Sequence, residues 1–204
     1  MKQNLISNLK DIFKVPLYEV KLNFDVKKLQ FFCKDWQHNH SGKSKSNKGG
    51  YQSSSLPKND PLIHSLIQEL EHHSTSFANE FINNKRQKVS QLWININGYK
   101  DSNATHMHPN SILSGTYYVN TPKDCGDIQF EHPAIDSLTY YTENLACDNP
   151  SVYNAVRIIA PAIENTLYIF PSWLKHSVQS NQNIKEERIS ISFNTLYPFK
   201  DIEK

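Results

Sequence analysis

Arg188-Ile189-Ser190-Ile191-Ser192-Phe193-Asn194 alternates strictly between polar and apolar side chains. Successive residues of a strand point to opposite sides of a sheet, so Arg188, Ser190, Ser192 and Asn194 share one face and Ile189, Ile191 and Phe193 the other. The apolar side can pack on other structure while the polar side lines a cavity. The competing reading, an edge strand with its polar side in water, leaves unexplained an arginine at the head of the polar row. A planar guanidinium makes paired, charge-assisted hydrogen bonds to a carboxylate, and a neighbouring serine hydroxyl can add another. Arg188 and Ser190 therefore suit a dicarboxylate held inside the cavity.

Other segments after Lys88 share this β grammar. Ser90 to Asn97, Ser111 to Asn120, Asp127 to Glu131, Ser151 to Ala160 and Thr166 to Phe170 are short, rich in strand formers and separated by turn residues, the spacing of a sandwich, jelly roll or small barrel. Before Lys88 the chain reads as mixed α and β. Pro16 to Asn23 alternates as a strand, and Val26 to Trp36 has helical apolar spacing. Asp60 stands as an N-cap before Pro61, followed by Leu62, Ile63, Leu66, Ile67, Leu70, Phe77, Phe81 and Ile82 at helical intervals. These are the marks of a helix from Pro61 to Ile82 that covers one face of a sheet. His72 and His73 on this helix are adjacent and point in different directions, so they and His64 are read as surface or boundary residues. Gln37 to Ser55 has the Ser, Asn, Gly and Lys composition of an irregular, solvated connector. Its Gly42-Lys43-Ser44 is not a phosphate-binding loop, because Gln37 stands where that motif needs glycine.

The chain has 204 residues and a formal net charge of +2. That length suits one domain spanning 1–204, with 1–88 a helical and mixed buttress and 89–204 a β core. The near-neutral charge argues against a nucleic-acid-binding surface. No apolar run approaches the roughly 20 residues of a membrane span, and Met1 to Val15 lacks a signal-peptide core, so a soluble protein is expected. Cys33, Cys125 and Cys147 are odd in number and widely spaced, which fits a reducing cytoplasm rather than a disulfide framework.

His106-Met107-His108 is the first constellation with metal-binding chemistry. In an extended segment the two imidazoles share a side, with Met107 facing away, although such a pair before a proline also fits a polar loop. His176, flanked by Trp173, Leu174 and Val178, precedes Arg188 by a short stretch. Asn95, Asn97 and Asn103 are candidates for the cavity wall, or else serve turns. Trp173 is read as packing.

These residues resemble the iron(II)- and 2-oxoglutarate-dependent dioxygenases, near the prolyl-hydroxylase-like branch. His106-x-His108-Pro109 followed by Ser114-Gly115-Thr116-Tyr117-Tyr118-Val119-Asn120 resembles that family's first metal-ligand phrase and the strand after it. Gly126-Asp127-Ile128-Gln129-Phe130 and Pro161 to Phe170 resemble later strands, and His176 with Arg188 resembles the distal histidine and the co-substrate arginine. Ile12 to Tyr18 and Gly49 to Ser53 resemble a smaller group of bacterial and phage-type members. The resemblance implies a double-stranded β-helix, iron(II) on His106, His108 and His176, and 2-oxoglutarate on Arg188, Ser190 and Tyr117; on a strand adjacent Tyr118 must then point the opposite way, and one of the two belongs to the core. The resemblance also implies a hydroxylation that releases succinate and CO2 and leaves the substrate, a small molecule or a protein side chain, open.

One departure stands out. The common facial triad is two histidines and a carboxylate, and His108 occupies the carboxylate position. Either three imidazoles hold the metal, or a carboxylate such as Glu131 or Asp101 completes the site with His108 behind it. Two rivals remain at this level: a three-histidine cupin-type dioxygenase that needs no 2-oxoglutarate, and a non-catalytic jelly-roll module that binds a ligand.

Overall fold

The computed structural model of the chain describes residues 11–82, 86–144, 151 and 153–197. Residues 1–10 and Cys147, read above as part of the fold and as a free thiol, lie outside the described residues. Among the described residues, eleven strands form two antiparallel sheets. The major sheet has the order β1 (Tyr18–Lys21), β9 (Thr166–Pro171), β6 (Leu113–Asn120), β11 (Arg188–Leu196), β4 (Lys88–Asn97) and β3 (Tyr51–Gln52). The minor sheet runs β2 (Asn47–Lys48), β5 (Ser102–His106), β10 (His176–Val178), β7 (Ile128–Glu131) and β8 (Arg157–Ala160). This is the double-stranded β-helix that the family resemblance implies, and the jelly roll is one of the architectures that the strand spacing allows.

The alternation along β11 determines the layering. Flanked by β4 and β6, this central strand turns Ile189, Ile191 and Phe193 outward, where they join Leu92, Ile94, Ile96, Tyr117, Val119, Leu167 and Ile169 in one buried cluster. Helix α1 (Val26–Asn39) adds Leu29 and Cys33 to that cluster, and α2 (Pro61–Phe81) adds Ile63, Leu66, Leu70 and Phe77. Each fully buried Leu or Ile there contributes roughly 1.5–3 kcal/mol relative to exposure, so the helices serve to cover the outer face. Asp60 caps α2 as its sequence predicts, its Oδ1 accepting from the backbone N–H of Leu62 at 2.9 Å and Ile63 at 3.1 Å. The inner face carries a smaller apolar cluster of Tyr118, Ile128, Phe130, Ala160, Tyr168, Phe170 and Leu174. Beside it lies the polar row of β11.

Five differences from the sequence reading concern short or non-periodic segments. Gln37 to Ser55 is not wholly a solvated connector: α1 continues to Asn39, β2 pairs with β5, and β3 pairs with β4. Two-residue strands are too short to show alternation, and their partners lie far away in sequence. At the turn between them, Gly49 has φ +69° and a Cβ there would lie 2.0 Å from Asp101 Oδ1, so only glycine fits. The strand read as Ser151 to Ala160 is regular only over Arg157–Ala160. Strands β5 and β10 and helix α3 (Ile135–Asn144) were not anticipated.

Candidate metal and co-substrate site

The end of β5, the loop after it and the start of β10 bring three imidazoles together. His106 and His176 are direct partners across the β5–β10 ladder. Loop residue His108 is anchored by its backbone N–H, which donates to Ser172 O at 2.9 Å. Ring centroids lie 5.0 Å apart for His106 and His108, 4.3 Å for His106 and His176, and 5.0 Å for His108 and His176. One nitrogen from each ring falls within 4.8 Å of the other two. Met107 turns away and is half exposed.

The outer nitrogens explain which nitrogens are left to meet. His106 Nδ1 lies 2.7 Å from Ala104 O, His176 Nδ1 lies 2.9 Å from Leu174 O, and His108 Nδ1 lies 2.6 Å from Asn194 Oδ1. A carbonyl oxygen only accepts, so each Nδ1 carries the proton and each Nε2 keeps a lone pair. Burial pushes His106 and His108 below the usual imidazole range, and drives His176 down to about 3, chiefly by desolvation. The three rings are therefore neutral near pH 7, the form in which imidazole ligates a metal. Imidazole donors suit iron and other divalent transition metals, so the donor set fits the implied ion.

No carboxylate joins the three rings among the described residues. Asp101, one sequence alternative, accepts from the Gly98 N–H at 2.7 Å in the turn before β5. Glu131, the other, pairs with Arg157 at 3.3 Å and accepts from Thr105 Oγ1 at 3.4 Å. Both have structural partners elsewhere.

Arg188, only 1% exposed, lines the same cleft as the histidines, together with Ser190. Its Nη1 donates to the carbonyls of Cys125 (2.6 Å), Gly126 (2.8 Å) and Gln179 (3.3 Å), whereas Nη2 is buried with no partner. Gly126 makes this cradle possible: at φ +81°, its Cβ position would lie 2.4 Å from Gln179 O. A buried cation solvated only by carbonyls is costly until an anion arrives. Desolvation accordingly pulls the guanidinium pKa down. Nη2 thus remains a buried donor without an acceptor.

The two tyrosines occupy the faces opposite to those expected. Tyr117 lies on the outer, helix-covered face of β6, and its hydroxyl donates to Asn165 Oδ1. Tyr118 faces inward and lines the cleft near Arg188. The inward alternation of β6 runs Ser114, Thr116, Tyr118, in step with Ser190, Ser192 and Asn194 of β11, and that parity was the available signal. Asn95 and Asn103 line the cleft, as does Trp93, which sequence reasoning passed over. Asn97 instead bonds Asn103 at 3.5 Å and receives Asn181 on its carbonyl at 2.9 Å. Asn194 and Ser114 stand directly behind His108. Trp173 is half exposed at the surface rather than packed. His64, His72 and His73 remain on α2, His73 bonding Tyr18 Oη at 3.0 Å.

A jelly roll with three converging imidazoles and a buried arginine in one inner cleft has the donor set of a metal-binding site. Residues 91–194 match the family model described as "Putative 2OG-Fe(II) oxygenase", and the chain belongs to that family of iron(II)- and 2-oxoglutarate-dependent oxygenases. Solved structures agree at the level of fold. A prolyl-4-hydroxylase from Pseudomonas putida is 11% identical, with TM-score 0.65 over 90% of this chain and 94% of its own. The epimerase SnoN from nogalamycin biosynthesis is 13% identical, with TM-score 0.65 over 90% and 79%. HygX from Streptomyces hygroscopicus, solved with nickel and 2-oxoglutarate, is 9% identical, with TM-score 0.61 over 91% and 84%. No curated protein matches the chain in sequence. Among the described residues, no helix is long and apolar enough to cross a membrane.

Proposed function

We propose that this chain is a hydroxylase in which the Nε2 atoms of His106, His108 and His176 hold iron(II), while Arg188, Ser190 and Tyr118 receive the distal carboxylate of 2-oxoglutarate. The unpartnered, buried Nη2 of Arg188, in the same cleft as the three neutral rings, carries this reading. Bound iron and 2-oxoglutarate together supply oxygen activation, with one oxygen atom going to the substrate and one to the succinate formed as CO2 leaves. The protein's own groups bind and orient. Arg188 fixes the far end of the co-substrate, Ser190 and Tyr118 can donate hydroxyl protons to the same carboxylate, and Phe170 and Ile128 limit water at the inner wall. Of the two tyrosines, Tyr118 takes this role because Tyr117 points to the helices.

The substrate is a small molecule or a protein side chain that reaches the histidine end of the cleft. Residues 1–204 act as one oxygenase domain, with strands β1 to β3 of the first part contributing edges to both sheets. The buried, unpaired Cys33 and Cys125 fit a cytoplasmic setting.

Anaerobic calorimetry tests the proposal: iron(II) should bind, and 2-oxoglutarate should then bind to the iron-loaded protein, with succinate released on admission of oxygen. Iron uptake without any 2-oxoglutarate binding would favour the three-histidine cupin chemistry. Binding of neither would favour a non-catalytic module.

A further inference from the structure

The contact behind His108 goes beyond a ligand set. His108 stands where the commoner triad has an acid, so its ring has to be aimed by something that an aspartate would not need. Asn194 Oδ1 lies 2.6 Å from His108 Nδ1, and Ser114 Oγ donates to the same oxygen at 2.7 Å while lying 3.1 Å from the ring nitrogen. The amide is oriented in turn by Nδ2, which donates to Gln91 Oε1 at 3.4 Å. Asn194 is 6% exposed and Ser114 fully buried, so water is a poor competitor for these contacts.

The other two rings are held differently. Ala104 O and Leu174 O belong to the backbone two residues before His106 and His176, so those bonds are local to each chain segment. His108 is oriented by side chains from the central strands β6 and β11 of the opposite sheet.

Resting on the reading of the three rings as the metal site, we infer that Asn194, supported by Ser114, is a positioning residue that fixes His108 in its Nδ1–H tautomer and aims Nε2 at the metal, making a neutral third ligand competent at the acid's position. The amide is the appropriate group because its oxygen accepts from both His108 and Ser114 while its nitrogen holds Gln91. A leucine of similar volume would fill the space but accept nothing. An aspartate would accept the same two bonds and add charge density to the ring through Nδ1–H.

Two measurements on the full chain test this. In a two-bond 1H–15N spectrum of the metal-free protein, His108 should show its proton on Nδ1 in the wild type and in Asn194→Asp, and a mixture of tautomers in Asn194→Leu. In anaerobic titrations with cobalt(II), followed by visible absorption, Asn194→Leu should weaken binding by about 10- to 100-fold and alter the band pattern. Asn194→Asp should stay within about threefold of wild type, as expected where the acceptor rather than bulk governs affinity. Asn194→Ala, a milder change to the strand, should reproduce the leucine result. A leucine or alanine variant that keeps both the Nδ1–H tautomer and wild-type cobalt(II) affinity would overturn the proposal. Failure of the underlying reading has a different signature: wild-type protein that takes up no cobalt(II) overturns the metal site itself, and the inference with it.

Discussion

The two ends of the cleft are built on opposite principles. At the histidine end, every outer ring nitrogen already has an acceptor, so the three inner nitrogens are aimed before any ion arrives. At the arginine end, Nη1 meets three carbonyls while Nη2, equally buried, has no partner. One end is satisfied on its protein side and offers lone pairs. The other is left one acceptor short. A saturated end favours geometry, and an unsaturated end favours affinity, because the arriving carboxylate relieves a desolvated charge that the fold has already bound.

The two ends should therefore separate by mutation. Arg188→Ala should raise the dissociation constant for 2-oxoglutarate by 100-fold or more, on the order of the 2–5 kcal/mol lost with a buried charge pair, and leave iron(II) affinity within a few-fold. Its melting temperature responds separately, since the change removes a desolvated cation but also leaves the carbonyls of Cys125, Gly126 and Gln179 without their donor. Calorimetry and thermal melts on one preparation report both, and an equal loss of metal and co-substrate binding would break the comparison. His108→Ala should do the converse, and His108→Asp should not. The aspartate places the commoner acid on the same loop, so iron(II) binding should be retained or tightened, while His108→Ala weakens it.

The tyrosine pair sharpens the contrast at lower amplitude. Tyr118→Phe should raise the apparent KM for 2-oxoglutarate roughly tenfold, the value of about 1.4 kcal/mol for a hydrogen bond to a charged group. Tyr117→Phe should leave that KM unchanged and cost about 1 kcal/mol of stability, because its hydroxyl bonds Asn165 on the helix-facing side.

That pair also shows how far sequence reading reaches. Strict alternation made the faces of β11 legible, and with them Arg188 and Ser190. The periodicity and cap of α2 were legible for the same reason: both signals are local. Tyr117 and Tyr118 offer no polar–apolar contrast between themselves; the parity of Ser114 and Thr116 puts Tyr118 on the polar side of the strand, but only the β6–β11 register shows that this side is the one shared with Arg188. Strands β5 and β10 escaped because Ser102–His106 is polar apart from Ala104 and His176–Val178 has three residues. Both exist through long-range pairing. Asn194 was visible as a member of the polar row, but its meeting with His108 spans 86 residues in sequence and depends on how the sheets face each other.

The smallest expected effect serves as a control outside both ends. Asp60 caps α2 by accepting from the N–H groups of Leu62 and Ile63, and α2 touches the cleft only through the outer face of the major sheet. Removing the cap in Asp60→Ala leaves those two donors to water and should cost about 1 kcal/mol of stability. The polar row of β11 is held by β4 and β6 rather than by the first turn of α2, so iron(II) and 2-oxoglutarate affinities should remain at wild-type values. Denaturant unfolding and calorimetry on this variant decide the point. If destabilising a remote cap lowered co-substrate affinity as Tyr118→Phe does, the arginine end would be responding to global looseness, and its incompleteness would no longer be a local property of Arg188 and its carbonyl cradle.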